Sequence, residues 1–136
     1  MLKKNIQSML NDQVEREAYA AFVYFSMASW MDANGFEGTA KFLYAQADEE
    51  MEHMKKVFHY INDAGGKAVV PSIDQPPKDF KSYKEIIEKS LENENAVTEA
   101  IHEIVEACLK EKDYTTFNLM QWYVDEQLEE ENQFNT

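Results

Sequence analysis

The chain has 136 residues, enough for one domain with a sizeable core, and at 44% hydrophobic and 29% charged it is neither disordered nor membrane-embedded. Its 26 acidic against 13 basic residues, a net charge of −13, argue against nucleic acid or anionic lipid as partner and favour cations. Four glycines and three prolines are too few for a turn-rich sandwich or barrel, and the single cysteine, Cys108, precludes an internal disulfide and points to a reducing compartment, the cytoplasm.

Lys3 and Lys4 are followed by a polar stretch, Asn5 to Gln13, where an export signal would need an apolar core. The longest uncharged run, Ala18 to Met31, falls short of the roughly 20 residues that cross a bilayer, so no membrane partner is expected. A first helix is predicted from about Lys4 to Ala33, stopped by Asn34-Gly35. Its core stripe reads Ile6, Leu10, Glu17, Ala21, Tyr24, Ala28. Phe22, Phe25 and Trp30 lie off that stripe and leave a second apolar face, the mark of a subunit interface.

The second helix is predicted from about Glu37 to Ala64, ending at Gly65-Gly66, with the stripe Leu43, Ala47, Glu50, Met54, Val57, Ile61 and His53 at its edge. Gly65 to Lys81 then holds Pro71, Pro76 and Pro77, which exclude a helix. Extended at roughly 3.3 Å per residue this segment reaches about 50 Å. A helix of about 28 residues is about 42 Å long, so the segment can run its length and leave the second and third helices parallel.

The third helix starts near Ser82, with Glu85 three residues on in the capping-box pattern, and runs to about Lys110. Its stripe is Tyr83, Ile87, Leu91, Glu94, Ile101, Val105, with Cys108 beside it as a small buried hydrophobe. The fourth begins after Asp113 and is still helical in character at Thr136, with the stripe Phe117, Met120, Val124, Gln127, Phe134 and Glu130 at its edge. The expected fold is all-α: a four-helix bundle with one long crossover between helices 2 and 3, over residues 1–136 as a single domain.

Every stripe is thus interrupted by a Glu or Gln. Glu17, Glu50, Glu94 and Gln127 each fall near the midpoint of a bundle helix, and midpoints meet at one level whichever way neighbouring helices run. A buried carboxylate costs several kcal/mol unless it is protonated, paired or metal-bound. No Lys or Arg lies on these stripes beside the carboxylates. Glu17, Glu50, Glu94 and Glu130 carry charge that two divalent cations would neutralise, and oxygen donors with one imidazole suit iron, manganese or zinc. Glu50 and His53 are three apart on one helical face, able to hold one metal together, and Gln127 and Glu130 repeat that spacing.

The stretches Glu49-Glu50-Met51-Glu52-His53, Asn118-Leu119-Met120-Gln121-Trp122-Tyr123 and Glu126-Gln127-Leu128-Glu129-Glu130 resemble the bacterial non-haem ferritins, and matching features run from Met1 to Phe134. That resemblance implies a ferritin-like bundle that stores iron and acts as a ferroxidase, oxidising Fe(II) with dioxygen or hydrogen peroxide. It implies that Glu17, Glu50 and His53 hold a first iron, that Glu50, Glu94 and Glu130 hold a second, and that Glu50 bridges them. Gln127 would orient ligands or an oxygen species, with Tyr24 close by. Glu49, Glu126 and Glu129, with Glu130, would form a third iron site towards a cavity. A homo-oligomeric shell of 24 subunits is implied as well, with the aromatic face of the first helix at its two-fold contact.

Other readings of the same residues remain open. Glu49, Glu126 and Glu129 also fit a solvated acidic face, Tyr24 fits core packing, and His59 and His102 fit the surface. Bacterioferritins bind haem through a methionine matching Met51, but they carry a second Glu-x-x-His where this chain has Gln127-x-x-Glu130, so no haem is expected. The same counting separates the ferritins from other di-iron carboxylate oxidoreductases, such as peroxide reductases and oxygenases. A non-catalytic iron-binding bundle is the third reading. Ferritins also continue the fourth helix and add a short fifth that lines four-fold channels, and the expectation is that these are missing after Thr136.

Overall fold

The computed structural model describes residues 1–135. Among them are four α-helices and no strand: α1 (Lys4–Ala33), α2 (Glu37–Asp63), α3 (Tyr83–Glu111) and α4 (Tyr114–Phe134). No helix among the described residues is long and apolar enough to cross a membrane. The chain divides into two compact units, Met1–Ile86 and Ile87–Thr136.

In the first unit α1 and α2 pack against each other as an antiparallel pair. At the end of α1 the Phe36 amide donates to the Met31 carbonyl at 2.8 Å and that of Gly35 to Asp32 at 3.3 Å. The end of α2 repeats this, Gly66 to Ile61 at 2.8 Å and Gly65 to Asn62 at 3.1 Å. Both pairs are Schellman caps, and each sets its glycine in the left-handed region, φ 85° at Gly35 and 89° at Gly65, where a Cβ would strain the chain. The Leu2 amide donates to the Ala64 carbonyl at 3.1 Å, tying the start of α1 to the end of α2.

The proline-bearing segment follows α1. Asn11 donates through Nδ2 to the Lys67 carbonyl at 3.0 Å and accepts the Val69 amide at 2.9 Å. Further along, the Ser26 hydroxyl donates to the Pro77 carbonyl. From Asn11 to Ser26 α1 advances roughly 22 Å, so the segment runs lengthwise beside it, as its length allowed. It delivers Tyr83 to the start of α2, where the ring lies 5.1 Å from Phe36 and its hydroxyl 3.2 Å from Thr39 Oγ1. Ser82 caps α3 by accepting the Glu85 amide at 3.1 Å.

In the second unit α3 turns into α4 through Lys112, at φ 58°. Here too a Schellman cap forms, Asp113 donating to Cys108 at 2.8 Å and Lys112 to Leu109 at 3.2 Å. Asp113 then caps α4, accepting the Thr116 amide at 3.0 Å and the Thr116 hydroxyl at 2.6 Å. The last helical residue is Phe134 and Asn135 is its C-cap, so the helix stops short of the expected continuation there, while Thr136 lies outside the described residues.

The buried faces correct three of the four predicted stripes. On α1 the stripe is as expected, joined by Gln13, Val14, Met27 and Met31. On α2 His53 is buried and Met54 moves to the edge. On α3 the buried positions are Ile86, Ser90, Glu94, Val97, Ile101, Ile104 and Cys108, so Tyr83 is exposed and Ile87, Leu91 and Val105 are half-buried. On α4 they are Thr116, Met120, Tyr123, Gln127, Glu130 and Phe134, so Phe117 and Val124 move out and Glu130 moves in. Ile86 and Ile87, or Ile104 and Val105, are equally apolar. Hydrophobicity cannot choose between such neighbours, whereas the packed helix admits one of them.

Candidate metal centre

Glu17 from the middle of α1 meets Glu50 and His53 from the middle of α2. The i, i+3 spacing puts the last two on one face, and the antiparallel pairing brings Glu17 to their level. Glu17 and Glu50 are both 0% exposed and His53 is 4% exposed. One ligand atom from each lies within 4.8 Å of the others, a separation that a single cation can bridge. His53 Nδ1 is 3.3 Å from Glu17 Oε2 and 3.5 Å from Glu50 Oε2.

Burial by itself would push the His53 imidazole down, but contact with Glu17 and then Glu50 outweighs it, and the group rises to about 11 from its ordinary 6.5. The metal-free site therefore carries its compensating charge as a proton on His53. A divalent cation in the same place would displace that proton and leave Nδ1 as a neutral ligand beside two carboxylate oxygens. The donor set, oxygen-rich with one imidazole, fits a first-row divalent ion such as Fe(II).

Glu17 is held from behind. Gln13, which is 0% exposed, donates through Nε2 to Glu17 Oε1 at 2.7 Å, and Arg16 donates to the Gln13 amide oxygen. Sequence reading missed Gln13. The available signal was its i, i+4 spacing to Glu17 on the stripe.

The second unit buries Glu94 on α3 and Gln127 and Glu130 on α4, each no more than 2% exposed. Gln127 Nε2 donates to the Glu94 carbonyl at 3.2 Å and to Thr98 Oγ1 at 3.1 Å. The Thr98 hydroxyl in turn donates to the Glu131 carboxylate. A main-chain carbonyl only accepts, so this arrangement fixes which end of the Gln127 amide faces α3. Thr98 was not anticipated either, although it stands four residues after Glu94 on the same face.

The remaining expected residues divide by burial. Tyr24 is buried on the α1 stripe, two turns beyond Glu17. Glu49 and Glu129 are exposed and Glu126 is half-buried, so none of the three belongs to the buried set. His59 and His102 are exposed, as expected for residues away from the central level. Cys108 is buried, and that burial, with Asp113 adding to it, pushes its thiol up to about 11, the behaviour of an inert core residue. Phe22 and Phe25 are 41% and 40% exposed, with ring centroids 6.4 Å apart, whereas Trp30 is half-buried and stacked on Phe36 at 6.2 Å.

The Ferritin family model, a ferritin-like domain, matches residues 7–136. A probable bacterial non-heme ferritin-like protein of Haemophilus influenzae is 48% identical over 136 residues, all of this chain and 82% of that protein. A bacterial non-heme ferritin of Campylobacter jejuni is 43% identical, over 98% of this chain and 80% of its own. Among solved structures, Chlorobium tepidum ferritin aligns with a TM-score of 0.96 at 42% identity, covering 98% of this chain and 82% of that one. An open pore ferritin from Archaeoglobus fulgidus gives the same TM-score at 36% identity, covering 98% and 83%. The fold is accordingly the all-α ferritin-like four-helix fold, and the chain belongs to the ferritin family.

Proposed function

We propose that residues 1–136 act as one ferritin-like domain that takes Fe(II) as substrate, oxidises it as a ferroxidase and stores the Fe(III) product as mineral. The observation that carries this reading is the buried Glu17–Glu50–His53 group, two carboxylates and an imidazole with ligand atoms within 4.8 Å of one another. Such a cluster costs several kcal/mol to maintain without a compensating charge, and it has no packing advantage over apolar residues of similar volume.

In this proposal Glu17, Glu50 and His53 hold the first Fe(II). Glu50 also serves the second, together with Glu94 and Glu130, so that four carboxylates balance two divalent ions. Two Fe(II) supply two electrons, which reduce one dioxygen to hydrogen peroxide or one hydrogen peroxide to water, with protons taken from solvent. Gln127 has its amide nitrogen committed to α3, so its part is that of an acceptor through Oε1, orienting a protonated ligand or oxygen species. Tyr24 stands by as a neighbouring hydroxyl. The second set lacks an imidazole and binds more weakly, which suits an iron that must leave. Glu49, Glu126 and Glu129, with Glu130, form a third iron site on the way out.

The exposed pair Phe22 and Phe25 supports a homo-oligomer, the interface within a shell of 24 subunits. The reducing compartment expected from a lone Cys108 is the cytoplasm.

The test is stopped-flow absorbance on metal-free protein mixed with Fe(II) in aerated buffer at rising iron-to-chain ratios. A fast phase saturating near about two irons per chain, followed by slower oxidation with iron kept in solution, is the expected result. Oxidation no faster than in buffer would replace it with a non-catalytic bundle.

A further inference from the structure

We infer that Arg16 and Gln13 are positioning residues that hold Glu17 to one-oxygen ligation of the first metal, an inference that rests on the metal-binding reading above. Gln13 lies one turn before Glu17 on α1 and is 0% exposed. Its Nε2 donates to Glu17 Oε1 at 2.7 Å, while the other oxygen, Oε2, faces His53 Nδ1 at 3.3 Å. The two carboxylate oxygens therefore have different surroundings. Oε1 is engaged by an amide from behind, and Oε2 is the atom turned towards the Glu50–His53 face.

Chemistry assigns the direction of this chain without reference to hydrogen positions. An arginine guanidinium is donor-only and an ionised carboxylate is acceptor-only. An amide between them satisfies both in one orientation alone, with its oxygen towards Arg16 and its nitrogen towards Glu17. Arg16 donates to Gln13 Oε1, so it locks the amide in the orientation that serves Glu17. Without Arg16 the amide is free to turn its oxygen to the carboxylate, where two acceptors would repel each other. Arg16 also lines an open surface cleft of about 310 Å³ with Asp12, Glu15, Tyr19, Ile73 and Asp74, so its charge is held from the solvent side and is not itself a ligand.

The consequence is a dependence that a purely structural residue would not have. Arg16 acts on the metal only through Gln13. Replacing Gln13 with an isosteric residue that lacks the amide lets Glu17 rotate and offer both oxygens, which raises the coordination number of the first cation.

The experiment is anaerobic titration of the metal-free chain with Co(II) and Zn(II), for wild type, Gln13→Met, Arg16→Ala and the double variant. Affinity for the first equivalent comes from calorimetry, coordination from the Co(II) absorption bands, and integrity of the helices from circular dichroism. Gln13→Met is expected to weaken the first equivalent about tenfold and to reduce the intensity of the Co(II) bands, as a higher coordination number requires. Arg16→Ala is expected to change both in the same direction, and the double variant to match Gln13→Met alone. Losses that multiply in the double variant, or a Gln13→Met chain with wild-type affinity and bands, would overturn the inference. If Gln13→Met fails to fold, Arg16→Ala decides by the same spectrum, because its side chain is only half-buried. A wild-type chain that binds neither ion would instead overturn the proposed function.

Discussion

Glu17 and His53 face each other across the α1–α2 pair, Oε2 to Nδ1 at 3.3 Å, with both side chains withdrawn from solvent. A second carboxylate, Glu50, reaches the same nitrogen at 3.5 Å. One imidazole thus stands between two carboxylates, and its charge changes when a cation arrives in the position its proton occupies.

That relationship sets a pH dependence with a definite sign. The folded His53 sits at about 11 against an ordinary 6.5, because Glu17 and Glu50 outweigh the effect of burial. A raised value of this kind stabilises the metal-free fold fully below about 6.5 and ceases to do so as pH climbs through about 11. Cation binding must expel the same proton, so affinity for Zn(II) is expected to rise with pH between those limits. Calorimetry in buffers of different ionisation enthalpy should record proton release for the first equivalent, and binding with no release would refute the displacement.

Glu50→Ala removes the carboxylate proposed to serve both irons. Rapid Fe(II) oxidation is expected to fall by a factor of at least 100, about 2.7 kcal/mol in the barrier, while the helical circular dichroism persists. An unaffected rate would sink the bridging role.

Lys112 holds φ 58°, in the left-handed region where a Cβ costs about 1 kcal/mol, at the position that glycine fills at the ends of α1 and α2. Lys112→Gly is expected to stabilise the fold by about 0.5 to 1 kcal/mol, part of the relief being lost to the entropy of the unfolded chain. Thermal unfolding should shift up by about 2 to 4 °C. A lower midpoint would show that the Lys112 side chain contributes more than its backbone strain costs.

Glu129 is exposed on α4, apart from the buried carboxylates. Glu129→Gln is expected to leave the first fast oxidation intact and to alter the rate of later turnovers severalfold, as an exit-path ligand would. Repeated additions of Fe(II) would reveal the difference. Identical later turnovers would return Glu129 to a solvated face.

Much of this was legible in the linear sequence. Local chemistry specifies where α1 and α2 stop, because Gly35 and Gly65 relieve a backbone conformation that needs no partner to be unfavourable for other residues. The caps at Ser82 and Asp113 are equally local, a side chain accepting an amide three residues on. Three prolines forbid a helix over the long connection whatever surrounds it. The polar interruptions of four apolar stripes were visible too, since a helical period of 3.6 residues maps sequence spacing onto a face.

Tertiary packing decided what spacing leaves degenerate. It chose Ile86 over Ile87 and Tyr123 over Val124, drew Glu130 and His53 from the edge into the buried face, and left Trp30 half-covered by its stack on Phe36. It also recruited Gln13, whose value lies in what stands on either side of it, Arg16 and Glu17. The physical reason is common to all of these. Backbone conformation and capping are settled within a few residues along the chain, whereas burial and hydrogen-bond partnership depend on which surface another helix presents, and in a close-packed interior a rotation of one residue changes every contact on the face.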